Sequence, residues 1–308
     1  MQRVAVIFDN TLRPETTGTY CRRALGKLVQ AGEITTVEHF LPTELDHVSQ
    51  DQFNLFLYID DGLDWSIPDH LRPAAWWAID THLNFERCLQ KAAQADFTFA
   101  TQQDGAEQLK KAGIKTAMWL PLACDPEIHA QQELSKEYDI SFVGHILPGE
   151  RQNLLNLLQE KFPNSFIGQE YYEKMAAIYS QSKVVFNRSI LNDVNMRVFE
   201  GLCSGSLVIT NNLSSNGQEE LFQDSVHYVV YQNAEELLEK LNYYLEHDDI
   251  REQIAQAGRT RVLEAHTYQH RMETILKECQ QPSASTPVTT SLSTKASYYF
   301  EFDRPDVL

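Results

Sequence analysis

Short apolar blocks alternate along this chain with polar, helix-spaced ones. Residues 4–8 form an apolar run of strand length, and 19–30 follow with helical spacing and a stop at Gly32. Residues 53–59 read as a nearly continuous apolar strand closed by Asp60-Asp61-Gly62, and 74–79 as another. An amphipathic helix is predicted over 85–94, a strand over 97–100 and a helix over 105–112. Residues 115–120 then lead into Pro121. This alternation predicts a parallel sheet with helices on both faces.

The stretch from Pro121 to Pro126 reads as a crossing into a second α/β series. There, 139–143 predict a strand, 144–149 a loop, 151–161 and 172–180 helices, and 183–186 a strand. Val194, Val198 and Leu202 recur at helical spacing before Gly205, and 206–210 form the next strand. After a loop at 214–217 come a strand at 226–231, helices at 235–246 and 250–265, and a further helix at 266–280. No internal repeat is visible. Residues 281–297 have linker composition, whereas Tyr298-Tyr-Phe-Glu-Phe302 is too aromatic for a solvated tail. The expected organisation is 1–120, 121–265, a returning helix at 266–280, a linker at 281–297, and the start of a following domain at 298–308.

Composition narrows the function. The 308 residues, 43% hydrophobic, suffice for two cores, and the net charge of −17 argues against nucleic acid and against an anionic membrane surface. A phosphate ligand would need locally concentrated cations, for which Lys183, Arg188, Arg197 and Arg151 are candidates. No apolar run approaches transmembrane length and no basic-then-apolar leader opens the chain, so a cytoplasmic protein is expected. The five scattered cysteines form no Cys-x-x-Cys pair and read as reduced, with Cys88 and Cys203 packed inside helices. The formal sequons at Asn187 and Asn212 have no meaning in a cytoplasmic chain.

The richest segment runs from Asn187 to Thr210: strand end, polar loop, short helix, glycine stop, buried strand. Arg197 and Glu200 share one helix face, and a helix start beyond a strand's carboxyl end is where α/β folds bind ligands. Ion pairs of Arg197 with Asp193 and Glu200 on a solvated face would give the same local pattern. Asn195, Arg197, Phe199, Glu200 and Gly205 resemble the donor-binding motif of GT-B glycosyltransferases, in particular the group-1 and CgeB-like (spore maturation protein) families. The resemblance implies an α/β GT-B fold, two Rossmann-like doubly wound domains facing a central cleft, with the last helix crossing back onto the first domain. It also implies a nucleoside-diphosphate sugar donor, with Glu200 on the ribose hydroxyls and Arg197 on the diphosphate. A carboxylate can accept from both hydroxyls, and a guanidinium offers a planar fork to phosphate oxygens. The amides at the helix start, around 194–196, would add anion binding. Retaining group-1 enzymes carry a further glutamate that would fall at Asn192. Asp193 stands beside it, and the CgeB-like pattern lacks that glutamate, so the stereochemical outcome stays open.

Phe142-Val-Gly144-His145, followed by Gly149-Glu-Arg151, resembles the first strand and loop of the donor domain. Arg151 is the basic residue matched to the diphosphate, or else the exposed first turn of a helix. Thr16-Thr17-Gly18-Thr19 matches a glycine-containing loop facing the cleft. Asp80 and His82 lie just past the Trp76-Trp77 strand and are candidate general bases, with Asp80 alternatively capping the next helix. Asp60-Asp61-Gly62-Leu-Asp64 has turn composition and is not expected to hold metal. His266 and His270 lack a third ligand, and the tyrosine pairs at 171–172 and 243–244 suit helix edges. No metal or cofactor is expected. The expected function is transfer of a sugar to a glycan or small-molecule acceptor, in bacterial surface glycan synthesis by family analogy. A sugar-nucleotide epimerase and a non-catalytic nucleotide-sugar-binding module are the alternatives. The fragment at 298–308 resembles the lead-in to class I SAM-dependent methyltransferase domains and implies a multidomain protein.

Overall fold

The computed structural model describes residues 2–11, 15–213 and 216–280. The linker and methyltransferase readings at 281–308 lie outside the described residues. Two parallel sheets carry the fold. The first contains β1 (Arg3–Ile7), β2 (Thr36–Phe40), β3 (Leu55–Ile59), β4 (Ala74–Ala78), β5 (Phe97–Ala100) and β6 (Ala117–Trp119). Their order is β2-β1-β3-β4-β5-β6. The second contains β7 (Tyr138–Val143), β8 (Ser165–Gly168), β9 (Ser182–Asn187), β10 (Leu207–Asn211) and β11 (Val229–Tyr231), in the order β11-β10-β9-β7-β8. Helices α1 (Thr17–Gln30), α2 (Phe85–Ala92) and α3 (Gln103–Lys111) belong to the first domain. The second carries α4 (Glu150–Lys161), α5 (Tyr172–Ser180), α6 (Met196–Cys203), α7 (Gln218–Leu221), α8 (Ala234–Glu246) and α9 (Asp248–Ala265).

The inner strands β3, β4 and β10 are buried along their whole length, which is why β3 and β4 read as unbroken apolar runs. β2 and β8 were not anticipated. Both are edge strands without a single fully buried residue, so neither carries an apolar run. β11 is shorter than the predicted 226–231. Ser225 turns the chain at φ 60°, and the Asp224 carboxylate accepts from the Val230 amide at 2.8 Å.

Each strand order reverses once, between β1 and β3 in the first sheet and between β7 and β9 in the second. Such reversals open a crevice at the strands' carboxyl ends. These ends face one another across the domain junction: Thr17 Oγ1 meets Met196 Sδ at 3.9 Å, and the Asp104 amide donates to Asn216 Oδ1 at 3.0 Å.

The last helix, α10 (Tyr268–Glu278), returns to the first domain, as the GT-B resemblance implies. Met272 and Ile275 are fully buried in one core with Val4, Leu25 and Leu28. Tyr268 stacks on Tyr20 with ring centroids 5.2 Å apart. Arg271 bonds the carbonyls of Pro121 and Leu122 at 2.7 and 2.9 Å, tying this helix to the crossing segment. His270 closes the cap of α10 with Thr267, and His266 accepts from Arg271, so the two histidines do not form a ligand pair. Cys88 and Cys203 are buried in α2 and α6. Among the described residues, no helix is long and apolar enough to cross a membrane.

Candidate functional site

Arg197, in the first turn of α6, spans the reversal point of the second sheet. Its Nε donates to the carbonyl of Val143 at the end of β7, and its Nη1 to Asn187 Oδ1 at the end of β9, at 2.9 and 2.7 Å. The guanidinium lies 4.1 Å from the centroid of the Phe142 ring. Gly144 makes this possible. Its φ is 147°, and a Cβ there would sit 2.3 Å from Arg197 Nη2. Asn195, at the helix cap, donates to Asn187 Oδ1 and Ser189 Oγ, while its own Oδ1 is buried without a hydrogen-bond partner among the described residues.

Arg151 is not the exposed first-turn residue of the alternative reading. It is buried, and it donates to the carbonyls of Arg188 and His145 at 2.9 and 3.2 Å. Burial, and then the charge of Arg197, push its pKa down to about 10. Arg151 and Arg197 thus form a cationic pair whose hydrogen bonds among the described residues go to neutral oxygens. A cavity of about 330 Å³ adjoins Arg151, walled also by Arg188, Asn192, Asn211 and Leu191. Arg188 pairs with Glu150 on the same wall. Lys183 lies at the opposite end of β9 and pairs with Asp139 at 2.8 Å, so it is not one of the site's cations. The side chain of His145 meets Gln169 at 3.3 Å.

Glu200 sits one turn beyond Arg197, 7% exposed. Its carboxylate Oε1 lies 3.7 Å from His129 Nε2. Burial pushes its pKa up to about 7, with Arg197 opposing. Thr17 and Gly18 open α1 directly across from α6. Gly18 serves packing, since a Cβ there would fall 2.3 Å from the Phe8 ring.

Asp193 faces the first domain. Its Oδ1 accepts from Gln102 Nε2, and its Oδ2 lies 4.0 Å from His82 Nε2. Gln102, fully buried, also accepts from the Val194 amide at 3.3 Å and from Asn216 Nδ2 at 2.9 Å. One of the helix-start amides expected to bind an anion is therefore already used. Asn192 has φ 62°, and its carbonyl accepts from Asn216 at 2.6 Å. Burial pushes the Asp193 pKa up to about 6, with His82 opposing and Asp80 reinforcing. Asp80 and His82 thus lie at the cleft beside a carboxylate of the second domain. Asp80 is not the cap of α2. That role belongs to Asn84, which accepts from the Arg87 amide at 3.1 Å.

Asp60 and Asp61 are engaged as turn residues. Asp60 accepts from the Gly62 amide and from Arg87, at 3.1 and 2.9 Å. Asp61 accepts from the Asp9 amide at 2.8 Å and from the Trp65 ring nitrogen at 3.0 Å. Among the described residues, no three His, Cys, Asp or Glu side chains converge as a metal site. Sequence reasoning singled out neither Gln102 nor His129. The Asp125-to-His129 spacing was the one local signal available for the latter.

The raised carboxyl pKa values set a pH dependence of stability. Glu200 and Asp193 favour the folded state in their protonated forms. That contribution is complete below about pH 4 and is lost as pH rises through about 6 and 7. His129 runs the opposite way: its pKa is pushed down to about 4 by burial, so its contribution is lost on acidification below 6.5. Glu200→Gln isolates the first effect. The variant should match the wild type near pH 4 and exceed it by about 3 kcal/mol at pH 8, measured by denaturant unfolding. A pH-independent difference would contradict the assignment.

Residues 130–277 match the sequence family described as "Glycosyl transferase-like". No curated protein matches the chain in sequence. Its fold matches solved structures. Anabaena Alr3699/HepE, solved with UDP and glucose, aligns at TM-score 0.63 and 13% identity, over 91% of this chain and 100% of that one. Sucrose-phosphate synthase from Thermosynechococcus elongatus aligns at TM-score 0.60 and 13% identity, over 90% and 98%. A glycosyltransferase from Rickettsia africae aligns at TM-score 0.61 and 10% identity, over 90% and 97%. The fold is GT-B: two Rossmann-like α/β domains, each built on a parallel sheet.

Proposed function

We propose that this chain is a glycosyltransferase that moves a sugar from a nucleoside-diphosphate sugar to a hydroxyl of a glycan or small molecule. The observation that carries this reading is the pair of Arg197 and the buried Arg151 at the reversal of the second sheet, hydrogen-bonded to neutral oxygens in a chain of net charge −17. Two guanidinium groups beside the same Phe142 ring, neither hydrogen-bonded to a carboxylate among the described residues, favour an anion between them and the cleft. The Glu200 carboxylate, one turn along the same helix, accepts no hydrogen bond among the described residues and suits the ribose hydroxyls of the same ligand. The match of 130–277 to a glycosyl transferase-like family supports this chemistry, and the UDP bound in the Anabaena structure supports a uridine nucleotide.

Asn195, Asn192, Gly144 and His145 complete the donor side in this reading, and Thr17 and Gly18 face it from the first domain. Asp80 and His82 supply the base if the reaction inverts. The CgeB-like group, a cytoplasmic location and a role in bacterial surface glycan synthesis are parts of the same proposal.

The test is a thermal-shift panel of UDP, GDP, dTDP and CMP sugars, followed by donor turnover with candidate acceptors. A ligand at one hundred times its dissociation constant stabilises by about 2.7 kcal/mol. Binding without turnover across acceptors would favour the nucleotide-binding module instead, and no shift with any of the four would overturn the reading. Because Arg197, Arg151 and the start of α6 neutralise the diphosphate in this scheme, activity should survive EDTA. Loss with EDTA, restored by magnesium or manganese, would point to a metal.

A further inference from the structure

We propose that His129, in the segment that crosses between the domains, is a positioning residue that aims the Glu200 carboxylate at the ribose of the nucleotide. The inference rests on the reading of Glu200 as the ribose-binding group. Four observations carry it. His129 is fully buried, and its Nδ1 accepts from the Asp125 backbone amide at 3.0 Å. An amide can only donate, so the neutral imidazole must carry its proton on Nε2. That Nε2 is buried without a hydrogen-bond partner among the described residues, and Glu200 Oε1 is 3.7 Å away. Finally, the His129 carbonyl accepts from Ser204 Oγ at 3.1 Å, at the far end of the helix that bears Glu200. The imidazole and α6 are therefore registered to each other by two independent contacts.

The crossing segment is itself held from the first domain. Asp125 accepts from Arg23 Nε at 2.7 Å, and its other oxygen caps the Glu127 amide at 3.0 Å. Burial alone would raise the Asp125 pKa, but the hydrogen bonds from Arg23 and the Glu127 amide and the charges of Arg23 and Lys27 together outweigh it, and the group is held below the usual carboxylate range. The geometry thus runs from α1 through Asp125 and His129 to Glu200. A 3.7 Å contact is long for a hydrogen bond, and catalytic and binding contacts commonly tighten when ligand arrives. With one carboxylate oxygen steadied by His129, the other lone pairs remain for the two ribose hydroxyls.

Calorimetric titration of UDP and GDP, and of their 2′,3′-dideoxy analogues, tests this in the full chain. The variants are His129→Phe, His129→Gln, His129→Asn and Glu200→Ala. His129→Phe should weaken the ribonucleotide about tenfold, the worth of one charge-assisted hydrogen bond, and leave the dideoxy analogue unchanged. His129→Gln, whose amide reaches the place of Nε2, should recover most of the loss. His129→Asn reaches only the place of Nδ1 and should not. In the Glu200→Ala background, His129→Phe should add nothing. Normal ribonucleotide binding by His129→Phe, or equal weakening of both nucleotide types, would overturn the inference while leaving Glu200 in place. If His129→Phe does not fold, equal affinity of the Gln and Asn variants overturns it. An unchanged affinity in Glu200→Ala, or a wild type indifferent to the ribose hydroxyls, would instead overturn the reading on which it rests.

Discussion

Arg197→Ala should lower turnover by about 10²–10³-fold, the loss typical of removing one preorganised donor from a developing negative charge. Nucleotide affinity should fall with it, since the diphosphate is present in both the ground and transition states. Arg197→Lys should rescue little. The side chain holds its place by donating in two directions, to Val143 and to Asn187, while lying over the Phe142 ring. A single ammonium cannot reproduce that planar fork. Steady-state kinetics and calorimetry on folded variants decide the matter. A lysine variant with near-normal kcat would show that charge alone suffices, and an alanine variant with normal affinity would remove Arg197 from the donor site.

The second large effect is expected at Asp80 and His82. In the proposed reaction the phosphates are held by the second domain, so the attacking hydroxyl comes from the side of the first. A positioned base typically contributes 10²–10⁴-fold. Asp80→Asn and His82→Ala should each depress turnover and leave nucleotide affinity nearly intact. His82 lies 4.0 Å from the Asp193 carboxylate across the cleft, so a residue of the opposite domain stands beside it. Near-normal turnover in both variants would place the base elsewhere, or mark a retaining reaction that needs none here. A variant that does not fold would assign that side chain to structure.

The parts of the fold legible in the sequence share a physical cause. Strands covered on both faces, such as β3 with its five buried residues, must be apolar throughout and stand out from their surroundings. β2 and β8, with one edge toward solvent, carry mixed residues and left no such mark. The resemblance of Asn195, Arg197, Phe199, Glu200 and Gly205 to a donor motif was legible because these residues lie on one helix and its two ends. Gln102, His129 and Asn216 come from other segments and acquire meaning only when the sheets bring them together. Asp193 was visible as a carboxylate next to Asn192, but a sequence does not show that it would turn toward Gln102 and His82. The reason for Gly144 was equally hidden, because the arginine that requires its missing side chain stands 53 positions later, at 197 − 144.

The return of α10 to the first domain makes the order of synthesis differ from the order of assembly. When the first 120 residues have been made, the hydrophobic surface that Met272, Ile275 and Leu276 will cover is still bare, and its cover lies about 150 residues downstream. A gene fragment cut at the crossing would encode a sheet lacking part of its own core, and would be prone to aggregation. The residues matched to the glycosyl transferase-like family end at 277, inside this helix. A segment defined by sequence similarity therefore carries a piece of the neighbouring domain, and exchanging second domains between related chains would also exchange that wall of the first. Chimeras should keep α10 matched to α1, whatever donor strands lie between them.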